Sequence, residues 1–189
     1  NTYLKNQNDE IKIVEIGSGY SSLVALEAIK KNQSIDGFKS VLKCIEPYEN
    51  RWLENKGIDV IRKKIEDVEA EETIGLDKND ILFVDTSHII KPQGDLLKIF
   101  LEIFPKLKKG VIIHIHDIFT PKDYPSKMLK EENKFYNEQY LLEAIMDHSS
   151  RYNILCSLNH LKNDYYKNLK KVCPYLTENS EPSSISVSY

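Results

Sequence analysis

The sequence predicts a doubly wound α/β domain built on a mostly parallel sheet, and three observations carry that expectation. Apolar runs alternate with segments of helical periodicity along most of the chain, the pattern of strands joined by covering helices. Two of these runs, Ile81-Leu82-Phe83-Val84 and Val111-Ile112-Ile113-His114-Ile115, are almost continuously apolar, as strands buried on both faces require. The first run ends in Gly17-Ser18-Gly19 and passes at once into an amphipathic stretch, a strand-to-helix turn that opens many folds of this kind.

Taken in order, strands are expected at residues 11–16, 41–45, 59–61, 81–84 and 111–115, and helices at 21–31, 49–55, 94–104 and 138–148. The apolar set of the 94–104 segment is wide, so that helix should be largely buried. Residues 122–135 are polar, carry Pro125 and lack a clean period, which reads as a long loop or lid. A sixth strand is expected at 152–158 and a short polar helix at 164–171. Ser184-Ile185-Ser186-Val187-Ser188-Tyr189 alternates strictly, which sets the seventh strand apart from the central ones.

At 189 residues and 21.9 kDa the chain fits one domain, with ordinary hydrophobic (41%) and charged (29%) content. Its net charge of −3 offers no basic field for nucleic acid. The three cysteines form no CxxC pair; Cys44 and Cys156 fall in apolar runs and read as small core residues. Neither a secretory segment nor a membrane-length apolar run is present, so a cytoplasmic location without membrane contact is expected. The chain opens at Asn1 without an initiator Met, which leaves room for an upstream segment carrying substrate or homodimer contacts.

Glycines at a strand-to-helix turn let the backbone approach a ligand, and the helix beyond offers unpaired N–H groups to it. A dinucleotide fold would favour a third glycine, but Ser22 stands there. Glu15 precedes the turn, and Glu46 ends the second strand, where a carboxylate can accept hydrogen bonds from ribose hydroxyls. With these residues the chain resembles the class I S-adenosylmethionine-dependent methyltransferases, which have a Rossmann-like sheet of seven strands with an antiparallel last strand. The resemblance implies that Glu15, Gly17, Ser18, Gly19 and Ser21 gather at S-adenosylmethionine. It also implies that Glu46 holds the ribose, that Asp67 faces the adenine and that Asp85 borders the cofactor.

Strand 4 runs into Asp85-Thr86-Ser87-His88 and strand 5 into His114-Ile115-His116-Asp117. Methyl transfer to an alcohol must remove a proton, and His88 is the expected base, with Asp85, Asp117 and His116 framing the acceptor. The Asp-x-x-His and His-Asp ends look similar to the macrocin-type branch of sugar and natural-product O-methyltransferases. That branch implies a small-molecule or saccharide hydroxyl as acceptor, and magnesium held by a carboxylate trio, here represented by Asp85 and Asp117. Ser87 stands where a second acid would be. His114 is expected to be a hydrogen-bonded core residue, Asp95 a helix first-turn acid, and Tyr124, Phe135, Tyr136 and Tyr140 either an acceptor lid or simple packing. A nicotinamide-dependent oxidoreductase and a non-catalytic binding module on the same scaffold are the alternatives.

Overall fold

The computed structural model describes residues 10–48, 51–69 and 75–189. Seven strands form one sheet: β1 (Ile11–Ile16), β2 (Ser40–Ile45), β3 (Asp59–Ile61), β4 (Ile81–Val84), β5 (Ile112–His116), β6 (Asn153–Ser157) and β7 (Ser184–Ser188). Their order is β3-β2-β1-β4-β5-β7-β6, with β7 antiparallel to both of its neighbours and the pairs from β3 to β5 parallel. The expected mostly parallel sheet with an antiparallel last strand is therefore the observed one. The chain runs outward in one direction from β1 and in the other from β4, so the switch point lies between them, where ligands enter such sheets.

Alternation along the strands sorts the core into two layers. Val14, Ile16, Leu82, Val84, Ile113 and Ile115 face one side and pack with Leu96, Ile99, Phe100, Ile103 and Leu142. Ile13, Leu42 and Cys44 face the other and pack with Ala25, Leu26, Ile29, Leu53 and Ile58. The first helix, α1 (Tyr20–Asp36), covers that second face over β1 and β2 and stops at Gly37, whose left-handed backbone (φ 68°) lets its N–H cap Gln33. It is longer than its apolar period suggested. The second face of β4 and β5 is only half covered: Phe83 and His114 border an open groove beside Val24, Ala25 and Ala28. Burial on both faces, expected for these two strands, holds on one.

Helix α2 (Asp95–Lys98) continues as a wide turn over Ile99–Ile103 and a tight one over Phe104–Lys106, where Pro105 has no N–H to extend it. The 122–135 segment contains a short helix, α3 (Ser126–Lys130), followed by α4 (Glu138–Asp147). The short polar helix expected at 164–171 is present as α6 (Tyr166–Val172), and a further helix, α5 (Leu158–Asp164), precedes it. Of the helix expected over 49–55, residues 49 and 50 lie outside the described residues; the rest is a turn closing at Glu54–Lys56, pinned by buried Leu53. No helix among the described residues is long and apolar enough to cross a membrane.

Candidate active site

The glycine turn joins β1 to α1 at the switch point. Gly17 has φ +87°, its N–H donates to the Ile45 carbonyl at 3.0 Å, and a Cβ built on it would lie 1.9 Å from the Asp85 carbonyl oxygen. Its glycine is thus required by the close passage of the β4 end, which the Asp85 N–H to Ile16 carbonyl bond (2.9 Å) holds in place. A Cβ on Gly19, by contrast, would meet nothing within 4 Å.

Glu15 does not face the cavity in front of the turn. Strand alternation turns it toward α1, where it is buried and accepts from Ser21 Oγ (2.5 Å), Ser22 Oγ (2.6 Å) and Cys44 Sγ (3.4 Å). Ser22 Oγ also accepts the Gly19 N–H at 3.1 Å, so this acid and two serines brace the start of the helix. Glu15 and Ser21 hold the turn from behind rather than line the cavity in front of it. Burial pushes the Glu15 carboxyl up, against its hydrogen bonds, and pushes the Cys44 thiol up to about 12, which leaves that sulfur unreactive. Ser22→Ala leaves a buried carboxylate oxygen with only the weak Cys44 Sγ donor at 3.4 Å and is expected to cost about 1–3 kcal/mol, read by urea denaturation.

In front of the turn lies a cavity of about 340 Å³, in the size range of small-molecule sites. Its wall includes Gly17, Glu46, Tyr48, Ile65, Asp85 and Thr86. Glu46 is buried and accepts from Ser18 Oγ (3.1 Å) and the Tyr48 N–H (2.7 Å). A carboxylate has about four lone-pair sites, so two remain for ligand hydroxyls. Thr86 Oγ1 is buried without a hydrogen-bond partner. Asp67 is exposed and outside this wall; Ile65 and Glu66 of the same short turn line it instead.

Asp85 belongs both to that cavity and to a cluster on its far side. Its Oδ1 lies 3.2 Å from His88 Nε2 and 3.7 Å from His116 Nδ1. His88 Nε2 is 3.7 Å from Asp117 Oδ2, and His116 Nδ1 is 3.3 Å from Asp117 Oδ1, which also accepts from Ser183 Oγ at 2.8 Å. His88 and Asp117 both have left-handed backbones (φ 57° and 54°), a strained state for side-chain-bearing residues that concentrates at functional sites. The four residues predicted from the two strand ends are brought together.

The structure adds one partner to which the sequence analysis gave no role. Glu138, at the start of α4, is fully buried, and His88 Nδ1 donates to its Oε2 at 2.8 Å. Asn137 ties the segment down by accepting the Ile90 N–H and donating its own N–H to the His88 carbonyl. Burial alone would lower the His88 pKa; the hydrogen bonds to Asp85 and Glu138 outweigh it and raise it from 6.5 to about 9. The two carboxylates also fix the ring, Glu138 at Nδ1 and Asp85 at Nε2. Burial would raise the Asp85 carboxyl, but His88 and His116 hold it low.

Around this cluster the remaining expectations divide. His114 is hydrogen-bonded to Ser186 (2.9 Å) as expected, but it stacks on Phe83 beside the open groove rather than in the core, and partial burial pushes its pKa down to about 4. Asp95 opens α2 and accepts the Ser87 N–H and Oγ–H, so it ties down the loop after β4. Tyr136 lies against the His88 ring with centroids 4.6 Å apart. Tyr124 is buried between Phe119, Tyr136 and Tyr140, whereas Phe135 is exposed. Packing accounts for Tyr124, and only Tyr136 touches the cluster.

The sheet order, the reversed β7 and a cofactor-sized cavity at the β1/β4 switch point define a Rossmann-like methyltransferase fold. Residues 14–118 match the family model of the methyltransferase domain, and the chain belongs to that family. Among solved structures it is similar to the plantazolicin methyltransferase BpumL in complex with SAH, at 13% identity and a TM-score of 0.52, over 94% of this chain and 75% of that one. It is also similar to the MycE methyltransferase of the mycinamycin biosynthetic pathway in complex with Mg, SAH and mycinamycin VI. There the identity is 16% and the TM-score 0.51, over 98% of this chain and 46% of that one, so this chain spans less than half of MycE. At these identities the likeness is one of fold. No curated protein matches the sequence at a significant level.

Proposed function

We propose that this domain transfers a methyl group from S-adenosylmethionine to a hydroxyl oxygen of a small molecule or saccharide. The observation that carries the reading is that Asp85 is shared: it walls the cavity containing Glu46 and also belongs to the cluster of His88, His116 and Asp117. A donor in the cavity and an acceptor at the cluster would meet across one side chain.

The cavity fits the cofactor. Glu46 has acceptor sites left for a ribose, Thr86 Oγ1 is an unpartnered polar atom in the wall, and Ile65 offers an apolar surface to a base. S-adenosylmethionine supplies an electrophilic methyl on a sulfonium. Asp85, His88, His116 and Asp117 would bind the acceptor hydroxyl, align it in line with the sulfonium and take its proton. Held by Asp85 at one ring nitrogen and Glu138 at the other, His88 acts in this cluster as a positioning residue. Acid and imidazole groups beside the donor suit a hydroxyl, whose proton must leave, and the net charge of −3 suits a small acceptor over nucleic acid. The preference for glycan or natural-product hydroxyls rests on the resemblance to the macrocin-type enzymes.

Calorimetry with S-adenosylhomocysteine and with NADH tests the cofactor. S-adenosylhomocysteine should bind and Glu46→Ala should weaken it about 10–100-fold, the loss of one to two hydrogen bonds to a charged group. Binding of NADH alone would overturn the reading in favour of an oxidoreductase. Transfer of a labelled methyl group to a panel of hydroxyl acceptors, with His116→Ala as the comparison, tests the chemistry; product formation unchanged in that variant removes the cluster from it.

A further inference from the structure

The carboxylate-held magnesium expected from the sequence does not match the donors present. Asp85 and Asp117 both reach the cluster, but the three groups whose donor atoms converge are Asp85, His88 and His116, all within 4.8 Å of one another. One carboxylate oxygen and two imidazole nitrogens suit magnesium poorly, because that ion takes oxygen ligands in a near-octahedral shell. Imidazole with a single carboxylate is a donor set for zinc, iron(II), cobalt(II) and similar ions.

We propose that Asp85, His88 and His116 form a binding site for a divalent first-row transition ion rather than for magnesium. Three features support it. The first is spacing: ligand atoms about 2.1 Å from one ion lie about 3.0–3.5 Å from each other. Asp85 Oδ1 is 3.2 Å from His88 Nε2 and 3.7 Å from His116 Nδ1, close to that spacing, and all three ligand atoms lie within 4.8 Å of one another.

The second is an unpartnered atom. His116 Nδ1 is buried and has no hydrogen-bond partner, although two carboxylates stand beside it. A buried polar atom left in that state costs about 1–3 kcal/mol, and a cation placed among these oxygens would use it.

The third is the outer layer. Metal-binding histidines usually donate their second ring N–H to a carboxylate, which fixes the tautomer and turns the other nitrogen toward the ion. His88 does this: Nδ1 is committed to fully buried Glu138, and Nε2 faces Asp85 and Asp117. Asp117, fastened to Ser183, adds a second negative group at the edge of the site. The left-handed backbones of His88 and Asp117 show how strongly the surroundings impose this geometry.

The site does not depend on the cofactor assignment and is tested without cofactor. Untagged protein stripped with a chelator and titrated with Co²⁺ should show one site with visible ligand-field absorption, and calorimetry with Zn²⁺ should give the same stoichiometry. His116→Ala, a half-exposed position where the fold should survive, should weaken Co²⁺ at least 10-fold, as should Glu138→Gln through the outer layer. His160→Ala, whose ring pairs with Asp164 elsewhere, should leave it unchanged. Millimolar Mg²⁺ should not displace Co²⁺. Absence of a Co²⁺ site, affinity indifferent to His116→Ala, or ready displacement by Mg²⁺ would overturn the proposal. S-adenosylhomocysteine binding, measured on the same stripped protein, reports separately on the cofactor reading.

Discussion

Glu138→Ala is expected to destabilise the domain by about 3–5 kcal/mol, the usual cost of removing one partner from a buried charged pair. Glu138 is fully buried, and its Oε2 accepts from His88 Nδ1 at 2.8 Å. Without the acid, the imidazole N–H loses its acceptor and faces the vacated space with Tyr136 on its flank. At this chain length the melting temperature should fall by roughly 6–20 °C. Glu138→Gln keeps an acceptor for His88 and removes only the charge, so it should melt much closer to the parent. Its methyl transfer should nevertheless fall about 10–100-fold, because the outer-layer carboxylate sets where the other ring nitrogen points. Thermal melts of both variants decide the matter: if Glu138→Ala melts within about 2 °C of the parent, the buried pair is not what holds this corner together.

That residue also marks where reading the sequence stops. Glu138 and Asp95 look alike as letters, each an acid in the first turn of a helix, favoured there by the helix dipole. In the fold Asp95 fastens the loop after β4, while Glu138 reaches back 50 positions to His88. No local pattern separates the two, since the difference arises from packing α4 against the end of β4. The strands, by contrast, were legible because burial enforces their periodicity, and β4 and β5 carry three of the four cluster residues to the same edge or just beyond it.

Glu15 illustrates a signal that was present and outweighed. With Ile13 on the α1 face of β1, a two-residue period puts Glu15 on that face too, behind the glycine turn. Family resemblance drew it toward the cofactor; alternation draws it toward Ser22 and Cys44. The surroundings of His88 were hidden for a different reason. An imidazole at a strand end reads as a base from its ordinary pKa, and only the positions of Asp85 and Glu138 reveal that hydrogen bonds at both ring nitrogens raise that pKa.

Gly17→Ala and Gly19→Ala should separate the two glycines of the opening turn completely. At position 17 a methyl would sit 1.9 Å from the Asp85 carbonyl oxygen, on a backbone at φ +87°. Overpacking costs about 1–3 kcal/mol and the left-handed conformation about 1–2 more, so a loss of about 2–5 kcal/mol is expected. The clash can be relieved only by parting β1 from β4, where the Asp85 N–H to Ile16 carbonyl bond closes the ladder. Since Asp85 joins the cavity to the cluster, cofactor affinity and transition-ion affinity should fall together with stability. At position 19 the backbone is extended (φ 167°) and the space beside it is open, so the variant should remain within about 1 kcal/mol of the parent. Urea denaturation of the pair measures the difference. Equal stabilities would mean that the strand ends are not locked at Gly17, and that the shared position of Asp85 is looser than its hydrogen bonds imply.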